Sequence, residues 1–363
     1  MEVSAVIEKV LTEAQRFPSG DNVQPFFLKK ISDHSFHIYH DQKRAEHDLN
    51  FKNVMSHMAL GAYLTYLELA ALKNSIGFKH SILHLESSQE PWAQIDFIEN
   101  HPDSMASEFD KFLMNHLTDR YTERRPFKVK RELPPGFLEF IEHEKSRTKV
   151  GFEFSYVQSP SKGLLRYLGD IEKKFWTSSH VTWTTFQWLR LTRKEIEQTR
   201  DGMPAAVMGV PSFTVLVLYL MRRWEFVVRW LSRLGLASNQ KFIQRKLISS
   251  SSLMAVIWLN KIEGPLDWVE VGRTYTRQWV WLSAHGWGFQ PVTIGISLIS
   301  FSRVGLLPAT LEHMQGLLTE GQNVLTQEFK ANQNWYPVWG YRAGPLDKMK
   351  KIISTLRKDI PFR

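Results

Sequence analysis

Two long stretches of this chain are apolar on nearly every helical face. In the first, Val54, Met55, Met58, Leu60, Tyr63, Leu64, Leu67, Leu69, Ala71 and Leu72 surround the cylinder, which predicts a helix enclosed by protein rather than one lying on a surface. The second runs from Glu270 to Phe289. Setting Gly61 on Gly272 brings Gly77 onto Gly288 and Phe78 onto Phe289, so both copies read Gly, fifteen residues, Gly-Phe. The chain therefore contains an internal repeat, each half with its own core helix, expected to stop at a Gly able to take the left-handed conformation.

The rest of the pattern is shorter. Val6, Ile7, Val10, Leu11 and Ala14 space a helix over Val3 to Arg16, ended by Pro18. Phe26 to Lys30 reads as a strand and His34 to His40 as its hairpin partner, with the first core helix running from after Asp48 to about Ile76. Further strands are expected at Ile82 to Leu85, Ala93 to Phe97 and Gly151 to Val157, and helices at Leu133 to Glu144 and Leu164 to Arg200, the latter broken by Asp201-Gly-Met-Pro204. Leu253 to Leu259 is a continuous apolar run suited to the centre of a covered sheet. A turn at Gln290 to Gly295, a helix from Ala309 to about Lys330, a closing strand from Trp335 to Gly344 and a mobile basic tail from Asp347 complete the chain.

Phe213 to Leu236 stands apart. At about 100° per residue, Arg222, Arg229 and Arg233 fall on one side and Val217, Leu220, Trp224, Val227, Leu231 and Leu234 on the other. Such a basic amphipathic helix lies either in a membrane interface or over the protein body with its Arg row in water.

With 363 residues, 43% of them hydrophobic, the chain makes two domains or one large duplicated one. It has no Cys, which excludes disulfides, thiolate nucleophiles, iron–sulfur clusters and Cys-ligated zinc, so redox chemistry would need a cofactor. The net charge of +9 and pI near 9.5 imply attraction to anions: nucleic acid, an anionic membrane face or a phosphorylated ligand. No apolar run approaches the roughly 20 residues of a spanning helix. Met1-Glu2 leads into an amphipathic pattern with no basic n-region before an apolar run. The expected location is cytoplasmic, with peripheral contact to the inner membrane face through 213–236 left open.

Ordinary catalytic signatures are missing: no Gly-x-Gly-x-x-Gly after a strand, no Walker loop, no His-Glu-x-x-His, no Gly-x-Ser-x-Gly. His34, His37 and His40 lack carboxylates at metal spacing, so no metal is expected. Two loops carry more. Phe17-Pro18-Ser19-Gly20-Asp21-Asn22-Val23-Gln24-Pro25 has the composition of a tight polar-tipped turn. Arg120-Tyr121-Thr122-Glu123-Arg124-Arg125-Pro126-Phe127 puts three Arg and a Thr in six residues; guanidinium forks bind phosphate bidentately, so this is a phosphate clamp or a solvated basic turn.

Taken together, the loops point to a family. Pro18 to Phe26 resembles the Pro-Ser-x-x-Asn-x-Gln-Pro-Trp loop of the nitroreductase superfamily, flavoproteins that bind FMN, with Phe26 where Trp is usual. Arg120-x-Thr122-x-Arg124 resembles its Arg-x-Ser-x-Arg phosphate motif, with Thr for Ser. The run on through Arg125-Pro126-Phe127, the Gly-containing core helices and the closing Arg342-x-Gly344 are similar to the duplicated, single-chain Acg-like branch. The resemblance covers most of Ala14 to Gly344 and leaves Phe213 to Leu236 and the tail unexplained.

The resemblance implies an α+β fold of nitroreductase type, two related halves fused as an internal pseudo-dimer, with mixed or antiparallel sheets flanked by helices. The halves would be 1–118, with the Pro-Ser loop, and 119–346, with the phosphate motif and an inserted lid-like helical segment near 201–252; 347–363 is the tail. Each half lacks the motif the other has, so one complete FMN site would form between them and the mirror-related site would be vestigial. In it Arg120 and Arg124 would pair the phosphate, with Arg125 an equally placed substitute, and Thr122 would donate a hydroxyl. Pro18, Ser19, Gly20, Asn22 and Gln24 would hold the ring or ribityl chain. The backbone of Gln290, Pro291 and Thr293 would donate to the ring, and Arg342 is a further candidate for phosphate or ring. No catalytic side chain is required, because the flavin carries the chemistry. The implied function is an FMN-dependent oxidoreductase with NAD(P)H as candidate donor and a small-molecule quinone or nitroaromatic acceptor. The alternative is an FMN-binding or sequestering protein without turnover. Nucleic acid is not an expected partner, since the Arg residues interleave with Trp rather than forming one stripe; the protein would be a monomer or a homodimer.

Overall fold

In the computed structural model, which describes residues 3–99, 106–208, 214–347, 356–360 and 362, the two core helices cross at their glycines. A Cβ on Gly61 would lie 1.9 Å from the Val269 carbonyl oxygen, and one on Gly272 would lie 2.0 Å from the Met58 carbonyl oxygen. Each glycine thus faces the carbonyl three residues before the other, a reciprocal contact. Neither helix has a free face: Leu60, Leu64 and Leu67 in one, and Val280 and Leu282 in the other, are fully buried.

The chain reaches the first core helix through α1 (Val3–Ala14), β1 (Phe26–Lys30), β2 (Ser35–His40) and the short α2 (Gln42–Ala45); α3 (Val54–Lys73) is that helix, and β3 (Gly77–Ile82) and β4 (Ala93–Ile98) follow. These strands form an antiparallel sheet in the order β1-β2-β4-β3. After α4 (Glu108–Met114), started by a Ser107–Asp110 capping box, and α5 (Phe137–Arg147) comes β5 (Phe152–Val157). A helical segment then intervenes: α6 (Lys162–Trp176), α7 (Ser179–Phe186), the two-residue β6 (Leu189–Arg190), α8 (Arg193–Thr199), its parallel partner β7 (Met203–Pro204), α9 (Thr214–Arg223), α10 (Glu225–Arg233) and α11 (Leu236–Ser249). β8 (Leu253–Leu259), buried at every position as its apolar run predicts, leads to the second core helix α12 (Pro265–Ala284), then β9 (Trp287–Pro291), α13 (Ser297–Arg303), α14 (Gln315–Phe329) and β10 (Tyr336–Pro345). The second sheet is antiparallel in the order β5-β8-β10-β9. Both sheets therefore place their strands first, second, fourth, third, with the core helix between the second and the third. They differ in one connection: residues 31–34 join β1 to β2, whereas 158–252 join β5 to β8.

Several local expectations are corrected. The left-handed residues that end the core helices are Ser75 (φ 54°) and Gly286 (φ 73°), at equivalent positions, rather than Gly77 and Gly288, which begin or sit in strands. Gly288 is small because a Cβ there would meet the Glu123 Cβ at 2.7 Å. The strand expected at Ile82 to Leu85 consequently lies earlier, at β3, and the expected turn at Gln290 begins inside β9. The helical stretch expected over Leu164 to Arg200 divides into α6, α7 and α8, with β6 between the last two. Phe213 lies outside the described residues, and the helix expected through Leu236 breaks at Trp224, whose backbone is extended. Arg222 consequently turns inward to Glu195 at 2.7 Å, away from Arg229 and Arg233. The tail is not wholly solvated: 348–355, 361 and 363 lie outside the described residues, but Phe362 bridges Leu28 and packs against Phe36.

Charged groups bind the helices across this core. Arg277, fully buried on α12, donates from Nε to Glu144 (2.7 Å) and from its terminal nitrogen to Asp110 (2.6 Å). Arg273 and Arg147 both reach Glu68 on α3 and, outweighing the burial that would raise it, hold its carboxyl at about 2. Among the described residues no helix is long and apolar enough to cross a membrane, and no group of three or more His, Asp or Glu could hold a metal ion.

Candidate functional site

The Pro-Ser loop joins α1 to β1 and is tightly wound. Asp21, Asn22 and Gln24 have φ of 47°, 58° and 52°, each a conformation that costs a side-chain-bearing residue about 1 kcal/mol or more and persists where surroundings over-determine it. The Gln24 N–H donates to the Ser19 hydroxyl at 3.0 Å, and the Asn22 and Val23 N–H groups to the Ser19 and Gly20 carbonyls. Ser19 is thereby used to close the loop. Pro18 is buried beneath it, and Gly20 sits at its exposed tip.

Two other segments are drawn onto this loop. The Asn22 amide donates to the carbonyls of Gly202 (3.1 Å) and Leu356 (3.2 Å); the Gln24 amide donates to the Arg200 carbonyl (3.0 Å) and its oxygen accepts from the Lys358 N–H (2.9 Å). Asp201 anchors the first segment by accepting from Arg44 at 2.9 Å and Arg190 at 2.7 Å; Arg44 also donates to the Val23 carbonyl. Asn22 and Gln24, expected to face a ring or ribityl chain, are in this structure joined to 200–202 and 356–358.

The phosphate-motif stretch is extended. Thr122 bridges Phe289, and the Glu123 N–H donates to the Phe289 carbonyl at 3.0 Å, so the segment runs beside β9. Alternation along an extended chain then sorts its side chains. Tyr121, Glu123 and Arg125 share one face: Arg125 donates from Nε and a terminal nitrogen to both Glu123 oxygens at 2.7 Å and to the Tyr121 hydroxyl at 3.2 Å. Arg125 is therefore no substitute for its neighbours. Arg120, Thr122 and Arg124 share the other. Arg120 lies 4.7 Å from the Trp279 ring centroid, with its Nε buried and without a hydrogen-bond partner. Arg124 donates to the Met203 sulfur at 3.4 Å; burial lowers its pKa, against the pull of nearby Asp21.

Asn22 and Arg124 are thus linked through the adjacent residues Gly202 and Met203 and through Asp21. Sequence reasoning missed two further arginines. Arg16 accepts through its carbonyl from Arg120 at 3.4 Å, and Arg357 lies within reach of Arg120, Arg16 and Tyr66, its guanidinium pulled down to about 9 by burial and by the like charges of Arg120 and Arg16. The signal in the tail was the apolar Leu356, Ile360 and Phe362 around Arg357, unsuited to a solvated segment.

Arg342 is a correction. All five of its donors are directed at the protein: Nε to the Gln290 side chain (2.7 Å), one terminal nitrogen to the Glu123 and Arg125 carbonyls (3.0 and 2.9 Å), the other toward the Leu247 carbonyl and Ser251 hydroxyl. It is a buried pin behind the 120–125 segment, and it occupies the Gln290 side chain as well. The turn after β9 also offers fewer donors than expected, since Pro291 has no N–H and the Val292 N–H is spent on the Gly340 carbonyl at 2.7 Å. Thr293 is the remaining candidate there; its carbonyl accepts from Ile296 and Ser297.

No family model matches this chain, and no curated protein matches it. Among solved structures it is similar to the FMN and NADPH-dependent nitroreductase NfnB from Sphigopyxis sp. strain HMH, over 65% of this chain and 89% of that one, at 14% identity and a TM-score of 0.31. Two single-residue mutants of that protein match at 15% identity with TM-score 0.31 and at 13% with 0.32.

Proposed function

We propose that this chain is an FMN-dependent oxidoreductase of nitroreductase type, built from two fused halves as an internal pseudo-dimer. The duplication is supported by the shared strand order of the two sheets and by the reciprocal contact of Gly61 and Gly272. The observation that carries the functional reading is that Asn22 and Arg124 bond to adjacent residues, Gly202 and Met203. The cofactor fits the residues present at its phosphate end: a cluster of Arg16, Arg120, Arg124 and Arg357 with a buried, partnerless Arg120 Nε is suited to a dianion. Arg120 and Arg124 would hold the phosphate with Thr122, Arg16 and Arg357 beside them, and the Pro-Ser loop would face the ring and ribityl chain. When bound, FMN would supply two-electron chemistry, with NAD(P)H as donor and a quinone or nitroaromatic as acceptor. The protein's own part is to orient and to exclude water.

A second reading, FMN binding without NAD(P)H turnover, is favoured by the covering of Asn22 and Gln24 by 200–202 and 356–358. One experiment separates these readings. Freshly purified protein should be yellow, and the double change Arg120→Ala with Arg124→Ala should abolish bound flavin while far-UV circular dichroism is unchanged. Bleaching by NADH or NADPH and recovery with a quinone marks the oxidoreductase; a yellow protein inert to both nucleotides marks the binding protein. Full flavin retention in the double variant rejects the clamp.

A further inference from the structure

The outer face of α10 is the largest feature that flavin binding leaves without a role. On its inner side Val228 is fully buried and seals a small core with Phe186, Leu218 and Met221. That contact already accounts for the helix being held against the protein. Its outer side, at spacings of four, nonetheless displays Phe226, Trp230 and Leu234 at 66%, 60% and 64% exposure. α9 and α11 both pack on α10, and each carries a large exposed apolar side chain of its own, Leu216 and Phe242, both 67% exposed. Large apolar groups gathered on one surface mark a contact site rather than ordinary scatter.

Charge selects the partner. Arg233 and Arg229 lie about 20° and 60° round the helix from Phe226, on the side away from Leu234, and both are exposed, Arg229 reaching Glu225 at 3.3 Å. Thr214 to Ser249 as a whole holds seven Lys and Arg against one acid, Glu225. A second copy meeting this face isologously would bring the Arg pairs against each other. A nucleic acid backbone would take the arginines but leave Phe226 and Leu234 in water. An anionic bilayer satisfies both: aromatic and Leu side chains enter the headgroup boundary while the Arg stems extend to lipid phosphates.

We propose that the outer face of α10 seats the protein on an anionic lipid surface, the helix lying in the interface plane. The proposal is independent of flavin binding. It is tested by sedimenting the full chain with phosphatidylcholine vesicles, with and without phosphatidylglycerol, at low and high salt. The expected result is binding only to phosphatidylglycerol vesicles, reversed by salt. Phe226→Ser with Trp230→Ser should weaken it at least about ten-fold, and Arg229→Gln with Arg233→Gln about thirty-fold at low salt, at about 1 kcal/mol per surface arginine. Protein remaining in the supernatant at low salt, or binding indifferent to both variants, overturns the proposal. So does a concentration-dependent dimer that the Phe226→Ser, Trp230→Ser pair abolishes in a protein that ignores vesicles.

Discussion

Replacing Gly61 with Ala tests the helix crossing on which the two sheets depend. The added Cβ would lie 1.9 Å from the Val269 carbonyl oxygen and 2.9 Å from the Arg273 nitrogen. Real Cβ contacts to oxygen do not fall below about 3 Å, so α3 and α12 must part by roughly 1 Å. Because backbone opposes backbone, no side-chain rotation relieves the clash, which puts the cost at the upper end of overpacking, about 3 kcal/mol. Ala gains about 1 kcal/mol over Gly in a helix interior, leaving a net loss of about 2 kcal/mol. In urea denaturation this lowers the midpoint by roughly half a molar for a chain whose slope is somewhat above the ~3 kcal/mol/M of small domains. Gly272→Ala should behave alike, its Cβ lying 2.0 Å from the Met58 oxygen. The double variant should cost clearly less than the two singles added, since one separation of the helices relieves both contacts. Gly316→Ala on α14, where a Cβ meets nothing within 4 Å, is the control and should stay within about 0.5 kcal/mol of the parent. An unchanged midpoint for Gly61→Ala, or strict additivity in the double, would refute the reciprocal crossing.

The parts of this architecture written in hydrophobicity were the legible ones. α3 is apolar all round because it is enclosed, and β8 is apolar without alternation because both faces are covered; each pattern has one structural meaning at that length. The tight winding of the Pro-Ser loop was legible as well, in its turn residues, whereas the charge of 120–125 left a phosphate clamp and a solvated turn both open. What sequence could not order was the sharing of donors. Arg120, Arg124, Arg125 and Arg342 are alike as residues, and only the extended course of 120–125 beside β9 turns Arg125 toward Glu123, while only the antiparallel register of β9 with β10 sets Arg342 on Gln290. Trp224 was equally opaque: a helical wheel carried through it merges two axes and sets Arg222 in one row with Arg229 and Arg233, when it pairs with Glu195. The contacts of the tail with the Pro-Ser loop, from Leu356 to Asn22 and from Lys358 to Gln24, each span 334 residues, and that of Asp359 with Arg200 spans 159, beyond anything local periodicity reports.

Two further predictions concern buried charge. Arg277→Met leaves fully buried Glu144 without its guanidinium partner and should cost about 3–5 kcal/mol in urea denaturation, with at least half restored by adding Glu144→Leu; a tolerated single change would mean that the Glu144–Arg277–Asp110 bridge does not hold α12. The other concerns acid. His40 and His57 flank Trp92 at ring distances of 4.1 and 4.8 Å, and burial, helped in His40 by the neighbouring His57, lowers each from 6.5 to about 4. The unfolded chain therefore takes up these protons below pH 6.5 while the folded chain does not until about pH 4, so stability falls as pH drops through that window, by on the order of 3 kcal/mol for each ring. Glu172 works in the opposite sense. Burial raises it to about 7, so it binds its proton in the folded state first and adds stability as pH falls from 7 to 4.5. Glu68 and Glu195, held at about 2, lose their contribution only below pH 4.5. The window between 6.5 and 4.5 thus belongs to these two histidines and to His80, which burial and the nearby Arg273 likewise lower to about 4, set against Glu172, and a difference measurement isolates one ring. His57→Gln should flatten the fall in urea midpoint between pH 6.5 and 4.5 relative to the parent, and Glu172→Gln should steepen it. Parallel pH profiles for parent and His57→Gln would show that His57 takes up its proton as readily folded as unfolded, and the buried His40–Trp92–His57 stack would have to be given up.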